Sequence, residues 1–161
     1  MKKSALVFLC LILVLATVQP AQAQTEHVNL AFTFGTLTDD SFSFNPFLWT
    51  AGLHMDIYLS ETILITPEIT LLAANFTFEG IQLVPGALLN LDLGGFLLGA
   101  GVVRPVGIGN NIAGTPPSDI GLKVNAGYLG EGYRLAFFFL SPFSDFFKIN
   151  YFGVSIGFYF Y

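Results

Sequence analysis

Apolar and polar residues alternate with a period of two along most of the chain from residue 28 onward, the pattern of strands with one face buried. Val28, Leu30, Phe32 and Phe34 alternate with Asn29, Ala31, Thr33 and Gly35. A turn-rich stretch follows at 36–46, with Asp39-Asp40 and Asn45-Pro46 as punctuation. Trp49, Ala51, Leu53, Met55 and Ile57 then share one parity, and Thr50, Gly52, His54, Asp56 and Tyr58 the other. The third segment sets Ile63, Ile65, Ile69 and Leu71 against Thr66, Glu68 and Thr70. Pro67 lies within it and cannot donate to a ladder. The fourth sets Ile81, Leu83, Leu89 and Leu91 against Gln82, Gly86, Asn90 and Asp92. The fifth alternates Phe96, Leu98, Ala100 and Val102 with Leu97, Gly99, Gly101 and Val103. The last three oppose Leu122, Val124, Ala126 and Tyr128 to Lys123, Asn125 and Gly127; Tyr133, Leu135, Phe137 and Phe139 to Arg134, Ala136 and Phe138; and Phe152, Val154, Ile156, Phe158 and Phe160 to Tyr151, Gly153, Ser155, Gly157 and Tyr159.

These segments predict eight strands. Their connections alternate in length: long breaks at 36–46, 75–80, 107–118 and from 141 onward, tight turns at 60–62, 94–95 and 130–132. A tilted barrel strand crosses a bilayer in about 9–11 residues, and short turns on one side with longer loops on the other are the plan of an outer-membrane barrel. No apolar run after residue 23 reaches the ~20 residues of a spanning helix, because Pro, Gly or Asn interrupts each one. A membrane resident of this kind has to be a closed barrel, since closure satisfies every strand's backbone in lipid.

The first 23 residues read differently. Lys2 and Lys3 precede an apolar run from Ala5 to Val18, and Ala21-Gln22-Ala23 is a small-x-small cleavage site before the polar Gln24-Thr25-Glu26. This predicts a secretory signal peptide over 1–23 and a mature barrel over 24–161. Cys10 sits inside the apolar run behind the bulky Leu9, which argues against lipidation. Cleavage would remove Lys2, Lys3 and Cys10, leaving Arg104, Lys123, Arg134 and Lys148 as the basic residues.

Composition decides which stripe faces out. The chain is 53% hydrophobic and only 11% charged, with 18 Phe and 17 Gly, against about 25% charged in a soluble domain. Eleven acidic residues against six basic ones exclude the basic patch of a nucleic-acid binder. A soluble barrel would carry its apolar stripe inside and a densely charged stripe outside. The second stripe here is mostly Gly, Ala, Ser, Thr, Asn and Tyr, small and neutral enough for the crowded lumen of an eight-stranded barrel. The Phe, Leu, Ile and Val stripe is therefore expected to face lipid.

The segment 151–161 resembles the terminal assembly signal of bacterial outer-membrane barrel proteins: Tyr151, a glycine two positions on at Gly153, spaced apolar residues Ile156 and Phe158, then Phe160 and Tyr161. The apolar parity runs through Phe160, so Tyr161 stands one residue beyond it. Residues 56–62 also resemble a strand–turn junction of the small eight-stranded members. The resemblance implies an all-β, eight-stranded antiparallel up-and-down transmembrane barrel in the bacterial outer membrane, reached by export through the inner membrane. It further implies outer-membrane lipid as surroundings, with the barrel-assembly machinery and periplasmic chaperones as partners during biogenesis and no nucleic acid. The family is functionally mixed, so the resemblance names no extracellular ligand.

Chemistry is sparse. The histidines are His27 and His54; no Gly-x-Ser-x-Gly elbow is present, and no metal-ligand spacing. His54 and Asp56 share a strand face, and a lumen polar network explains them better than a catalytic dyad. No catalytic residue, cofactor or metal is expected. The structural site is the lumen set His54, Asp56, Glu68, Lys123 and Arg134, all on the polar parity. Counted from the short turns, Asp56 matches Arg134 in height and Glu68 matches Lys123, so both are expected to pair, as charges inside a membrane protein do. Arg104 falls on the apolar parity and is expected above the membrane or beyond a bulge. The reading is a non-enzymatic outer-membrane barrel with a filled lumen and loops available for interaction. The alternatives are a small channel, a lipid-modifying barrel enzyme and a soluble exported lipid carrier.

Overall fold

The computed structural model describes residues 28–76, 80–109 and 114–160. The expected signal peptide at 1–23, His27 and Tyr161 lie outside them. Among the described residues the chain forms nine strands and no helix: β1 (Val28–Asp39), β2 (Leu48–Tyr58), β3 (Ile63–Ala74), β4 (Gly80–Asp92), β5 (Phe96–Val103), β6 (Val106–Gly109), β7 (Gly121–Gly130), β8 (Tyr133–Pro142) and β9 (Tyr151–Phe160). All pairings are antiparallel: β1 to β5 pair in chain order, β6 pairs with β4, β5 pairs with β7, β7 to β9 pair in chain order, and β1 pairs with β9 from Leu30↔Phe160 to Asp39↔Tyr151, which closes the sheet. β5 and β6 are two halves of one stave. Val103 opposes Gly86 and Val106 opposes Leu83, so the register against β4 carries straight through the interruption at Arg104-Pro105. The result is a closed, eight-staved antiparallel up-and-down barrel.

The fifth stave departs from expectation. The long break was expected from residue 107, yet Val106–Gly109 continues the ladder along β4. Arg104 is not beyond a bulge, since its N–H donates to Pro85 O at 3.0 Å in unbroken register. Val103 already opposes Gly121, the first residue of β7, so Arg104 lies outward at the rim on that flank. β1 likewise runs on to Asp39, past the predicted break at 36. Thr36 explains part of this: its hydroxyl donates to Leu48 O at 2.7 Å, tying the end of β1 to the start of β2.

Burial follows the alternation. Ala31, His54, Asp56, Leu64, Thr66, Leu72, Leu88, Asn90, Leu97, Asn125, Arg134 and Ala136 point inward and are buried, while Phe34, Ile65, Ile69, Leu89, Phe96, Val102, Phe137, Ile156 and Phe158 are exposed on the outer wall. The interior is divided along the barrel axis. Leu37, Leu48, Leu72, Ala74, Val103, Leu140 and Tyr151, with Val84 and Phe138, pack together at the end that carries the long loops. The buried charged side chains Asp56 and Arg134, with His54, gather toward the short turns.

Glycine makes this interior possible at two rows. Gly99 sits between Asn90 and Asn125, and a Cβ there would collide with both amide oxygens. Gly153 lies under the Phe138 ring across the β8–β9 row, and a Cβ there would collide with that ring. We expect Gly99→Ala to destabilise the barrel by about 1–3 kcal/mol, the usual penalty of overpacking a filled core. Urea unfolding from lipid vesicles measures it, and Gly99→Ala combined with Asn125→Ala should recover part of the loss.

Candidate functional site: the lumen polar network

Asp56, two residues before β2 ends at a short turn, is fully buried and is the hub of the network. Its Oδ1 accepts from Thr66 Oγ1 at 2.5 Å and from Arg134 Nη1 at 3.0 Å. Its Oδ2 accepts from Tyr159 OH at 2.6 Å, with His54 Nε2 at 3.5 Å. The donors come from β3, β8 and β9. Burying a carboxylate is costly unless it is paired and its lone pairs are filled, and three donors on two oxygens meet that condition.

The network continues around the wall. Because the Thr66 hydroxyl donates to Asp56, its oxygen accepts from Asn90 Nδ2 at 2.7 Å. This fixes the Asn90 amide with Oδ1 turned toward Gly99 and, beyond it, Asn125. Hydrogen bonds thus run from Asn90 on β4 through Thr66 on β3 to Asp56 on β2, and on to Arg134 on β8 and Tyr159 on β9, while Asn125 on β7 lies across Gly99 from Asn90 with both amide oxygens unbonded among the described residues. On β1, Ala31 stands against His54 and Tyr159, and Asn29 stands opposite Asp56.

Nearer the middle, Lys123 Nζ lies 2.5 Å from Glu68 Oε1, joining β7 to β3 across the lumen. The same ammonium stands 4.9 Å from the centre of the Phe138 ring, a cation–π contact. Phe138 therefore serves two neighbours, holding Lys123 over its ring and occupying with its tip the space a side chain at Gly153 would take. A cavity of about 60 Å³ remains, lined among others by His54, Glu68, Lys123, Arg134, Thr50 and Ser155. That is room for a few water molecules and far below the 300–1,000 Å³ of ordinary ligand pockets. The same cavity runs up between Leu37, Leu72, Val84, Val103 and Leu140 of the apolar cluster and ends at a cap, the connection before β7. Pro116 is buried there, its carbonyl and the Thr115 hydroxyl accepting from Gln82 Nε2 at 2.8 and 3.0 Å, while Tyr151 OH donates to Thr115 O at 3.0 Å.

The structure therefore places Asp56 with Arg134, Glu68 with Lys123, and His54 beside Asp56. Of the terminal segment, Tyr151 and Gly153 face the lumen, whereas Ile156, Phe158 and Phe160 face outward. Sequence reasoning omitted Thr66, Asn90, Asn125 and Tyr159 from the network. All four stood on the polar parity, but nothing in a linear pattern ranks an uncharged polar residue by its partner. It also missed the cap at Thr115-Pro116, whose loop residues follow no periodicity.

The central pair can be tested by a double-mutant cycle. Glu68→Ala leaves a largely buried ammonium unpaired and Lys123→Ala a carboxylate, each expected to cost roughly 3–5 kcal/mol. The double variant should cost much less than the sum, with a coupling of about 1–3 kcal/mol. All four proteins are to be unfolded from the same lipid; additive losses would mean that the pair contributes nothing as a pair.

Comparison with known proteins identifies the architecture. No protein-family model matches the chain, and no curated protein matches it. Among solved structures it is similar to a de novo designed transmembrane β-barrel at 8% identity and a TM-score of 0.55, covering 86% of this chain and 100% of the design. It is also similar to the designed protein TMB2.3, solved in solution by NMR, at 11% identity and a TM-score of 0.53, covering 86% of this chain and 99% of the other. At such identity the likeness is one of fold, and the fold is that of transmembrane β-barrels.

Proposed function

We propose that the protein is an integral barrel of the bacterial outer membrane, exported with loss of residues 1–23 and belonging with the small eight-stranded outer-membrane barrels. Its lumen is filled and structural, it performs no catalysis, and its role is exerted at its loops. One observation carries this reading: the outer wall is apolar on every stave while Asp56, Glu68, Lys123 and Arg134 point inside. Phe34 on β1, Ile57 on β2, Ile65 and Ile69 on β3, Leu89 and Leu91 on β4, Leu98 and Val102 on β5, Val124 on β7, Phe137 on β8 and Phe158 on β9 all face out. Water would not tolerate so large a continuous apolar surface on a monomer, whereas a bilayer requires it.

The non-catalytic part of the reading rests on how the polar groups are used. His54 and Asp56, the side chains most suggestive of acid–base chemistry, lie inside a closed lumen whose remaining cavity admits a few waters and no lipid or sugar. The same filling argues against a channel, because the space left between the polar network and the Pro116 cap is only about 60 Å³ and its upper part is walled by apolar side chains.

Three measurements test the reading. Membrane fractionation should recover the protein with the outer membrane, and unheated samples should migrate as a compact barrel on gels. Purified protein in planar bilayers should give no stable single-channel steps; reproducible conductance would show an open lumen. In vesicles, Val124→Arg should cost about 2–4 kcal/mol if Val124 lies near the lipid midplane. A water-exposed site would register within about 0.5 kcal/mol, and that result would favour the soluble carrier.

A further inference from the structure

Three connections at the long-loop end turn through a residue in the left-handed backbone region, where glycine or asparagine is the ordinary occupant and a bulky side chain is disfavoured. In each of the three, phenylalanine holds a left-handed position: Phe42 at φ 51°, Phe76 at φ 55° and Phe147 at φ 60°. Each is also among the most exposed side chains of the protein, at 64%, 71% and 65%. Neither burial nor backbone preference accounts for this choice, made independently in the β1–β2, β3–β4 and β8–β9 connections.

The rings share one disposition. Phe42 stacks on Phe152 with centroids 5.5 Å apart, Phe76 on Trp49 at 5.7 Å and on Phe47 at 5.4 Å, and Phe147 on Phe139 at 6.1 Å. Phe152, Trp49 and Phe139 are outward residues of β9, β2 and β8. The left-handed turn therefore brings each ring onto the outside of the wall, adjoining the apolar band. Around Phe147 the patch widens through Phe146, 4.1 Å away, and Phe143, with Ile149 also exposed.

We propose that Phe42, Phe76 and Phe147 are lipid-inserted feet: the rim loops that bear them lie along the bilayer interface rather than standing free in water, and their partner is the upper acyl region of the surrounding lipid. This rests on the membrane-barrel reading and adds to it a partner for the loops. The lipid is favoured over a docked protein by distribution. The three feet are spread along an arc from β8 through β9, β1 and β2 to β3, and they adjoin a wall whose surroundings, on that reading, are acyl chains. Phenylalanine suits the role because it carries no polar atom that must reach water.

The test uses the single tryptophan. In a Trp49→Phe background, Phe42→Trp and Phe147→Trp are made separately, with Phe137→Trp as a reference at mid-wall. Folding is checked by gel migration before heating. The proteins are placed in phosphatidylcholine vesicles whose acyl chains carry bromine either near the headgroup or near the chain end. Both loop tryptophans should lose most of their emission to bromine near the headgroup, emit to the blue and resist iodide. Phe137→Trp should respond more to the deep bromine. If Phe137→Trp is quenched by bromolipid while both loop tryptophans are quenched only by iodide, the feet stand in water and the inference is overturned in favour of a protein partner. If Phe137→Trp itself escapes every bromolipid, the membrane-barrel reading fails and the inference with it.

Discussion

The Asp56 carboxylate imposes the strictest condition on this barrel. A buried, ionised carboxylate must be surrounded by donors, and here they arrive from strands distant in sequence: Thr66 from β3, Arg134 from β8 and Tyr159 from β9. Each can reach Asp56 in one register only. A slip by a single residue would send Arg134 to the outer wall and leave Asp56 unpaired inside, so the network opposes the register errors to which regular strands are prone. The outer wall could not supply this discrimination. Its Phe, Leu, Ile and Val side chains would meet lipid almost equally well in several registers, and only the inside distinguishes them.

The rest of the lumen is organised around that fixed end. Above Asp56, the Glu68–Lys123 pair spans from β3 to β7, and Phe138 stands at the edge of the charged zone, its ring under the ammonium and its tip in the space left by Gly153. Beyond Phe138 the filling turns apolar and ends under Pro116. This order suits a narrow barrel. Polar groups in the lower half hold the staves to one another by direction-specific bonds, and in the upper half hydrocarbon supplies most of the filling, with Gln82 and Tyr151 bonded to the cap. The glycines at 99 and 153 are set by the same geometry, since each yields its place to a neighbour's side chain that could not otherwise point inward.

Most of this architecture was legible in the alternation itself. The strand count, the parity of every stave and the two charge pairs follow from a period of two combined with turns whose lengths alternate. What was not legible has physical causes. The fifth stave was cut short because Pro105 and the glycines after Arg104 look like a loop, yet the register carries through to Gly109 since β4 supplies partners regardless. Thr66, Asn90 and Tyr159 were passed over because their importance depends on which strands adjoin, a matter of closure and not of order along the chain. Leu64, Leu88 and Leu97 are inward although apolar. Reading polarity as direction therefore understated how much hydrocarbon the lumen contains.

An inverted barrel of this kind separates stability from recognition. Lys123 and Arg134, two of the four cations expected in the mature chain, are committed to internal pairs. Arg104 stands at the rim, and Lys148 lies 3.7 Å from Asp145 on a loop. Little positive charge is thus left outside to attract an acidic ligand or a phosphate-rich surface, and Asp39, Asp40, Asp119 and Asp145 make the loop end acidic. If three of the loops are drawn down onto the wall by Phe42, Phe76 and Phe147, the surface that stays in water contracts toward the barrel mouth, around the Pro116 cap and the rising β4–β6 ribbon. Any partner that meets this protein from the water side would meet it there, and its affinity would have to come from hydrogen bonding and shape at that mouth, because charge attraction by basic side chains is largely absent.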